Sequence, residues 1–163
     1  MADQKQPFIV VGVDGSPPSR KALAWAARQA RMTGATVRAV TAWQLPRDYG
    51  FPVVLEDVDL AAEAQAVVDQ TIAEVLGSAP DVPVVTEVHQ GHPAMILVDS
   101  SQGADLLVVG SRGHGAFAGM LLGSVSEYCV THATCPVLVI RRAGEDRAGE
   151  GGAGGTAGGG TAG

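Results

Sequence analysis

The sequence predicts a doubly wound α/β domain, a parallel sheet with helices on both faces. Three observations predict it. Short continuous apolar runs, bounded by glycine, proline or aspartate, recur along the chain and read as strands buried on both faces. Stretches with apolar residues at helical spacing alternate with those runs. The connections between successive runs are long enough to hold a helix, as parallel pairing requires.

The elements follow in order. "PFIVVGVDGS", residues 7–16, opens as a short apolar run ended by Asp14-Gly15 and reads as strand one. Ser16 followed by Pro17 is an N-cap with proline at the first helical position. The helix that follows runs to about Met32, with Leu23, Ala26, Ala27 and Ala30 inward and Lys21, Arg28 and Arg31 outward. Gly34 ends it. "ATVRAVTAW" supplies a second β-branched run over residues 36–42, and residues 44–56 read as irregular, with Pro46, Gly50 and Pro52. A second helix is expected over 57–77, because Leu60, Ala64, Val68, Ile72 and Val75 share one face.

"VPVVTEVHQG" is the third strand, and Pro83 puts it towards a sheet edge. "HPAMILVDSSQG" is a short helix with proline in its first turn, and "ADLLVVGS" is a fully apolar fourth strand. A glycine-rich loop, "GSRGHGAFAGMLLGS", spans residues 110–124. A helix from Ser124 to about Thr131 then carries Ser124 and Glu127 at capping-box spacing. "CPVLVI" is strand five. The domain is read as residues 1–142. Residues 143–163 are nearly half glycine and hold no large apolar residue, which reads as a flexible, disordered tail.

Composition narrows the function. The chain has 163 residues and a net charge of −6, and nothing is read as gathering positive charge into a face apart from Arg141-Arg142. Binding driven by nucleic-acid phosphates is therefore not expected. No apolar run approaches the roughly 18–20 residues that cross a bilayer, and the start lacks a basic region followed by an apolar signal core. The expectation is a cytoplasmic protein with no membrane partner. Two cysteines make no secreted disulfide framework. Cys129, His132 and Cys135 invite a metal reading, but three ligands at most make a poor zinc site, and buried thiols packing as small hydrophobes are the stronger reading. No metal-binding residue is assigned.

In a doubly wound sheet, ligands bind beyond the carboxyl ends of the strands where strand order reverses. Two loops at such ends stand out: Asp14-Gly15-Ser16 and the glycine loop. The P-loop signature fails, since no lysine precedes Ser124, and the dinucleotide fingerprint would follow strand one rather than strand four. The physics of anion binding still holds. Gly110, Gly113 and Gly115 permit positive φ and close backbone approach, so successive N–H groups can converge on an anion. Ser124 opens a helix whose free N–H groups and positive dipole end lie beside the loop. Arg112 and His114 are its basic side chains.

Gly110-x-x-Gly113, nine residues and then Gly123-Ser124 resembles the glycine motif of the universal stress protein family. "IVVGVDGS" near the start and "CPVLVI" near the end resemble that family's first and last strands, and the likeness covers residues 7–142. The resemblance implies an open five-stranded parallel sheet in order 3-2-1-4-5, a homodimer paired through strand five (residues 136–141), and adenine-nucleotide binding. The cofactor it implies is ATP, with or without Mg2+. By position, Asp14 would contact the ribose, and the backbone at Val40 and Thr41, at the end of strand two, would meet the adenine. Gly110, Ser111, Arg112, Gly113, His114 and Gly123 would wrap the phosphates. Ser124 and Ser126 would donate hydroxyls, with Val125 between them at the helix start.

The residues favour holding a nucleotide over cutting one. Metal-assisted phosphoryl transfer needs carboxylates and a base beside the phosphates, and Asp14 is the one carboxylate near either loop. Lysine occurs only at Lys5 and Lys21, which removes Schiff-base chemistry. No catalytic residue is assigned. The expected role is an ATP-binding regulatory or stress-response factor. The alternatives are a slow ATPase or phosphotransferase, a cyclic AMP or AMP binder, and a nucleotide-free dimeric interaction module.

Overall fold

Nine elements alternate among the described residues. They are β1 (Phe8–Gly12), α1 (Pro17–Thr33), β2 (Thr36–Trp43), α2 (Leu60–Leu76), β3 (Val84–Gln90), α3 (Pro93–Ser100), β4 (Leu106–Gly110), α4 (Ser124–His132) and β5 (Val137–Ile140). The computed structural model describes residues 4–45, 59–112 and 122–141. The five strands form one parallel sheet in the order β3-β2-β1-β4-β5. Strand order therefore reverses between β1 and β4, and β3 and β5 are the edges, as expected for both.

The strand alternation sorts the core into two layers. Ile9, Val11, Val37, Ala39 and Val108 face α1 and α2, where Leu23, Ala26, Ala27, Ala30 and Val68 meet them. Phe8, Val10, Val40, Leu107 and Val109 face α3 and α4 and pack with Leu97 and Cys129. Most of these side chains are fully buried, which is why the strands read as unbroken apolar runs.

Local signals set the ends of α1. Ser16 is its N-cap and accepts a hydrogen bond from the Ser19 amide, Pro17 follows, and Gly34 closes it at φ 71°. Helical winding gathers Arg20, Lys21, Arg28 and Arg31 on α1 with no acidic residue, a concentration that a linear reading of charge missed. Two of the four are neutralised locally: Arg20 pairs with Glu74 and Arg31 with Asp81.

Two boundaries and one helix cap differ from expectation. The second helix starts at Leu60, because Asp59 caps it by accepting from the Ala62 amide. β2 runs on to Trp43, held by β3 as far as the Trp43–Gln90 pair, so Val40 and Thr41 lie inside the strand. The last helix has Gly123 as N-cap with no side-chain cap, so Ser124 and Glu127 form no capping box.

Gly110 is also used differently. It has no positive φ. A Cβ there would sit 2.6 Å from Pro18 Cβ and 3.2 Å from the Ser19 nitrogen, so the missing side chain lets the end of β4 touch the first turn of α1. Gly110→Ala should therefore lower unfolding stability by about 1–3 kcal/mol through overpacking, read as a shifted urea midpoint at unchanged slope.

Candidate functional site

The contact of Gly110 with Pro18 and Ser19 sets the candidate site, because it brings the end of β4 against the helix start that follows β1. On the β1 side, Asp14 folds back on its own turn. Its Oδ1 accepts from the Ser16 amide at 2.9 Å and from the Ser16 hydroxyl. Ser19 Oγ donates to the Ser16 carbonyl at 2.9 Å, and the Asp14 amide points at the same hydroxyl at 3.4 Å. Ser16 and Ser19 are buried while Asp14 is exposed at the mouth.

On the β4 side, Ser111 ties the loop at its neck. Its amide donates to the Ile140 carbonyl of β5 at 2.7 Å. Its carbonyl accepts from the Gly123 amide at 2.6 Å and from Ser126 Oγ at 2.9 Å. Ser126 Oγ also lies 3.0 Å from the Gly123 carbonyl. Ser111 is completely buried, and among the described residues its hydroxyl has no hydrogen-bond partner. The chain re-enters at Gly123 and turns into α4, where the N–H groups of Ser124, Val125 and Ser126 have no acceptor within the helix. Those donors and the positive end of the helix dipole suit an anion.

The residues singled out in the sequence divide as follows. Gly110 lies against Ser19, which neighbours Asp14, and Ser111 is bonded to Gly123 at the start of α4. Val40 and Thr41 are buried in β2, and the Val40 carbonyl accepts from the Val13 amide at 2.9 Å, just past the end of β1. Ser126 is buried, with its hydroxyl engaged by the neck carbonyls, whereas Ser124 is exposed. Arg112 is partly buried where the chain leaves the neck. Gly113 and His114 lie outside the described residues. Three participants were missed: Pro18 as the partner of Gly110, Ser19 beside Asp14, and Arg20, whose Nε donates to the Gly15 carbonyl at 3.2 Å. The run "SPPSR" carried a signal for them, since two serines three apart at a helix start put a hydroxyl back against the preceding turn.

No group of three His, Cys, Asp or Glu able to hold a metal exists among the described residues. Cys129 is buried in the α3–α4 layer, and burial, with a smaller contribution from Cys135, pushes its thiol up to about 11. Arg20, and after it Gln70, hold the Glu74 carboxyl below the usual range.

An open doubly wound sheet with a glycine-started loop after its fourth strand defines a class: α/β domains that carry their site at the β1–β4 reversal. Within that class, the chain belongs to the universal stress protein family, whose profile matches residues 8–141. Universal stress protein Rv2005c of Mycobacterium tuberculosis is 39% identical over 144 residues, covering 86% of this chain and 48% of the relative. The chain thus spans about half the length of the curated relatives it matches. UspA from Lactobacillus plantarum superposes with a TM-score of 0.69 at 27% identity, over 85% of this chain and all of the other. A universal stress protein in complex with cAMP superposes at 0.54 with 28% identity, over 83% and 97%.

The thiols can be told apart chemically. A thiol whose pKa is raised on folding stabilises the fold below the unfolded value of about 9 and loses that contribution as pH climbs towards 11. At pH 8 a thiol reagent should therefore label half-exposed Cys135 first, with native Cys129 at least about tenfold slower and released by denaturant. Mass mapping of the labelled peptides reads the order.

Proposed function

We propose that this domain binds an adenine nucleotide at the β1–β4 reversal, as a regulatory protein whose bound state carries the signal. The observation that carries the proposal is the juxtaposition of the Asp14 turn with the Ser111–Gly123 neck, forced by the Gly110–Pro18 contact. Asp14 offers an exposed carboxylate suited to ribose hydroxyls. The first-turn N–H groups of α4 and the buried Ser111 hydroxyl are donors suited to phosphate oxygens. Glycines in the intervening loop, Gly113 among them, allow close backbone approach to those phosphates. A base would lie across the ends of β1 and β2, near Val40 and Thr41.

ATP is the proposed ligand, because the loop between Ser111 and Gly123 is long enough for several phosphates. The residues present fit the nucleotide better than they fit a resident cation. With Asp14 as the carboxylate at the mouth, Mg2+ would arrive on the phosphates and keep most of its waters. Cyclic AMP is the second reading, favoured by the cAMP complex among the structural relatives. Calorimetric titration with ATP, ADP, AMP and cyclic AMP decides between them. Binding of ATP tightest of the four is expected, and absence of heat with all four rejects the proposal. Gly113→Val should abolish binding while leaving the circular dichroism spectrum unchanged, and wild-type affinity in that variant would refute the loop's part.

We also propose a homodimer through residues 136–141. β5 is a four-residue edge strand whose Val137, Leu138, Val139 and Ile140 are all only half-buried, and an apolar edge needs cover. Light scattering at micromolar concentration should give twice the chain mass of 16.6 kDa; a single-chain mass would overturn the pairing.

A further inference from the structure

The Asp14 turn is braced from outside its own helix. Within α1, the Ser16 carbonyl accepts from the Arg20 amide at 3.1 Å and from Ser19 Oγ at 2.9 Å. Asp14 Oδ1 is fixed by Ser16. Between Asp14 and Ser16 stands Gly15, at φ 79°, a conformation that glycine adopts freely and that costs it nothing to leave. Two contacts restrain it. Arg20 Nε donates to the Gly15 carbonyl at 3.2 Å, and Val67 of α2 lies so close that a Cβ on Gly15 would be 3.2 Å from its Cγ1.

The same guanidinium reaches α2. Arg20 Nη1 pairs with Glu74 Oε2, while Glu74 Oε1 accepts from Gln70 Nε2 at 2.8 Å. One planar cation thus spans from the turn carbonyl to a carboxylate 54 residues away in sequence. Its fork geometry permits both bonds at once, which a lysine ammonium on a single stem could not match. Arg20 and Glu74 are both more than a third exposed, so as an ion pair they add little to global stability. Their effect falls on the turn.

We propose that Arg20, held from α2 by Glu74, is a positioning residue that fixes the Asp14–Ser16 turn so that Asp14 meets the ribose of a bound nucleotide. The inference rests on the nucleotide reading for its ligand, and on the hydrogen bonds of the turn for its geometry. It makes α2 part of the site without touching the ligand.

The test uses the full chain as wild type, Arg20→Ala, Arg20→Lys and Glu74→Gln. Calorimetry with ATP and with 2′,3′-dideoxy-ATP reads ribose selectivity, and amide exchange at Ser16 reads the turn itself. Arg20→Ala should weaken ATP about five- to tenfold and leave the dideoxy analogue within about twofold, the loss of one charge-assisted bond to the turn. Ser16 exchange should rise about tenfold with the thermal midpoint little changed. Arg20→Lys should behave like alanine in selectivity, because it can keep the ion pair but not the carbonyl bond as well. Glu74→Gln, which leaves Arg20 in place, should fall between and serves if an Arg20 variant fails to fold. Unchanged selectivity together with unchanged Ser16 exchange would overturn the proposal, as would equal losses for both nucleotides. If the wild type binds neither nucleotide, the ligand reading fails, and Ser16 exchange alone decides whether Arg20 braces the turn.

Discussion

The carbonyl of Ser111 is the constraint on which the site depends. It accepts from the Gly123 amide and the Ser126 hydroxyl, so the two ends of a long connection are closed into a neck. The Ser111 amide meanwhile bonds Ile140, fixing that neck to the last residue of β5. Three successive elements, β4, α4 and β5, are thereby held to one residue with no solvent contact. A buried carbonyl with two donors is well satisfied, and breaking it would strand two polar groups in a low-dielectric interior. Loop closure entropy grows only slowly with length, so the separation of Ser111 and Gly123 in sequence adds little to the cost of closing the neck.

The opposite side of the site depends on packing. The strand reversal puts β1 beside β4, and the β1–β4 pairing sets their ends nearly level. Nothing in that pairing alone brings the Asp14 turn against the neck. Contact comes from α1, whose first turn descends on Gly110. The two halves of the site therefore rest on different physics, one on buried hydrogen bonds and the other on van der Waals fit. The coupling between them passes through the contact of Gly110 with Pro18 and Ser19.

Much of the fold was legible because its signals are local. An apolar run followed by Asp14-Gly15, a Ser16-Pro17 helix start and a Gly34 stop each specify structure within a few residues, and all three hold. Pro83 pointed to an edge of the sheet, where β3 stands. The order 3-2-1-4-5 came through family resemblance, since local pattern does not fix which strands are neighbours. What stayed illegible was long-range. Ser124 and Glu127 have the spacing of a capping box, but the neck bond from the Gly123 amide makes Gly123 the cap and leaves Ser124 one step inside. The end of β2 was placed too early because its continuation depends on β3 as partner. Arg20 was unremarkable in sequence, since its two partners are a backbone carbonyl and a carboxylate on another helix.

The close approach at Gly110 has a bearing on how such glycine patterns evolve. A residue held by Pro18 and Ser19 is under selection for folding whether or not anything binds nearby. A chain of this fold that bound nothing here would still need this glycine for its packing. Its presence in a sequence is then a record of architecture, and drift at other positions of the pattern is where a change of function would first be written.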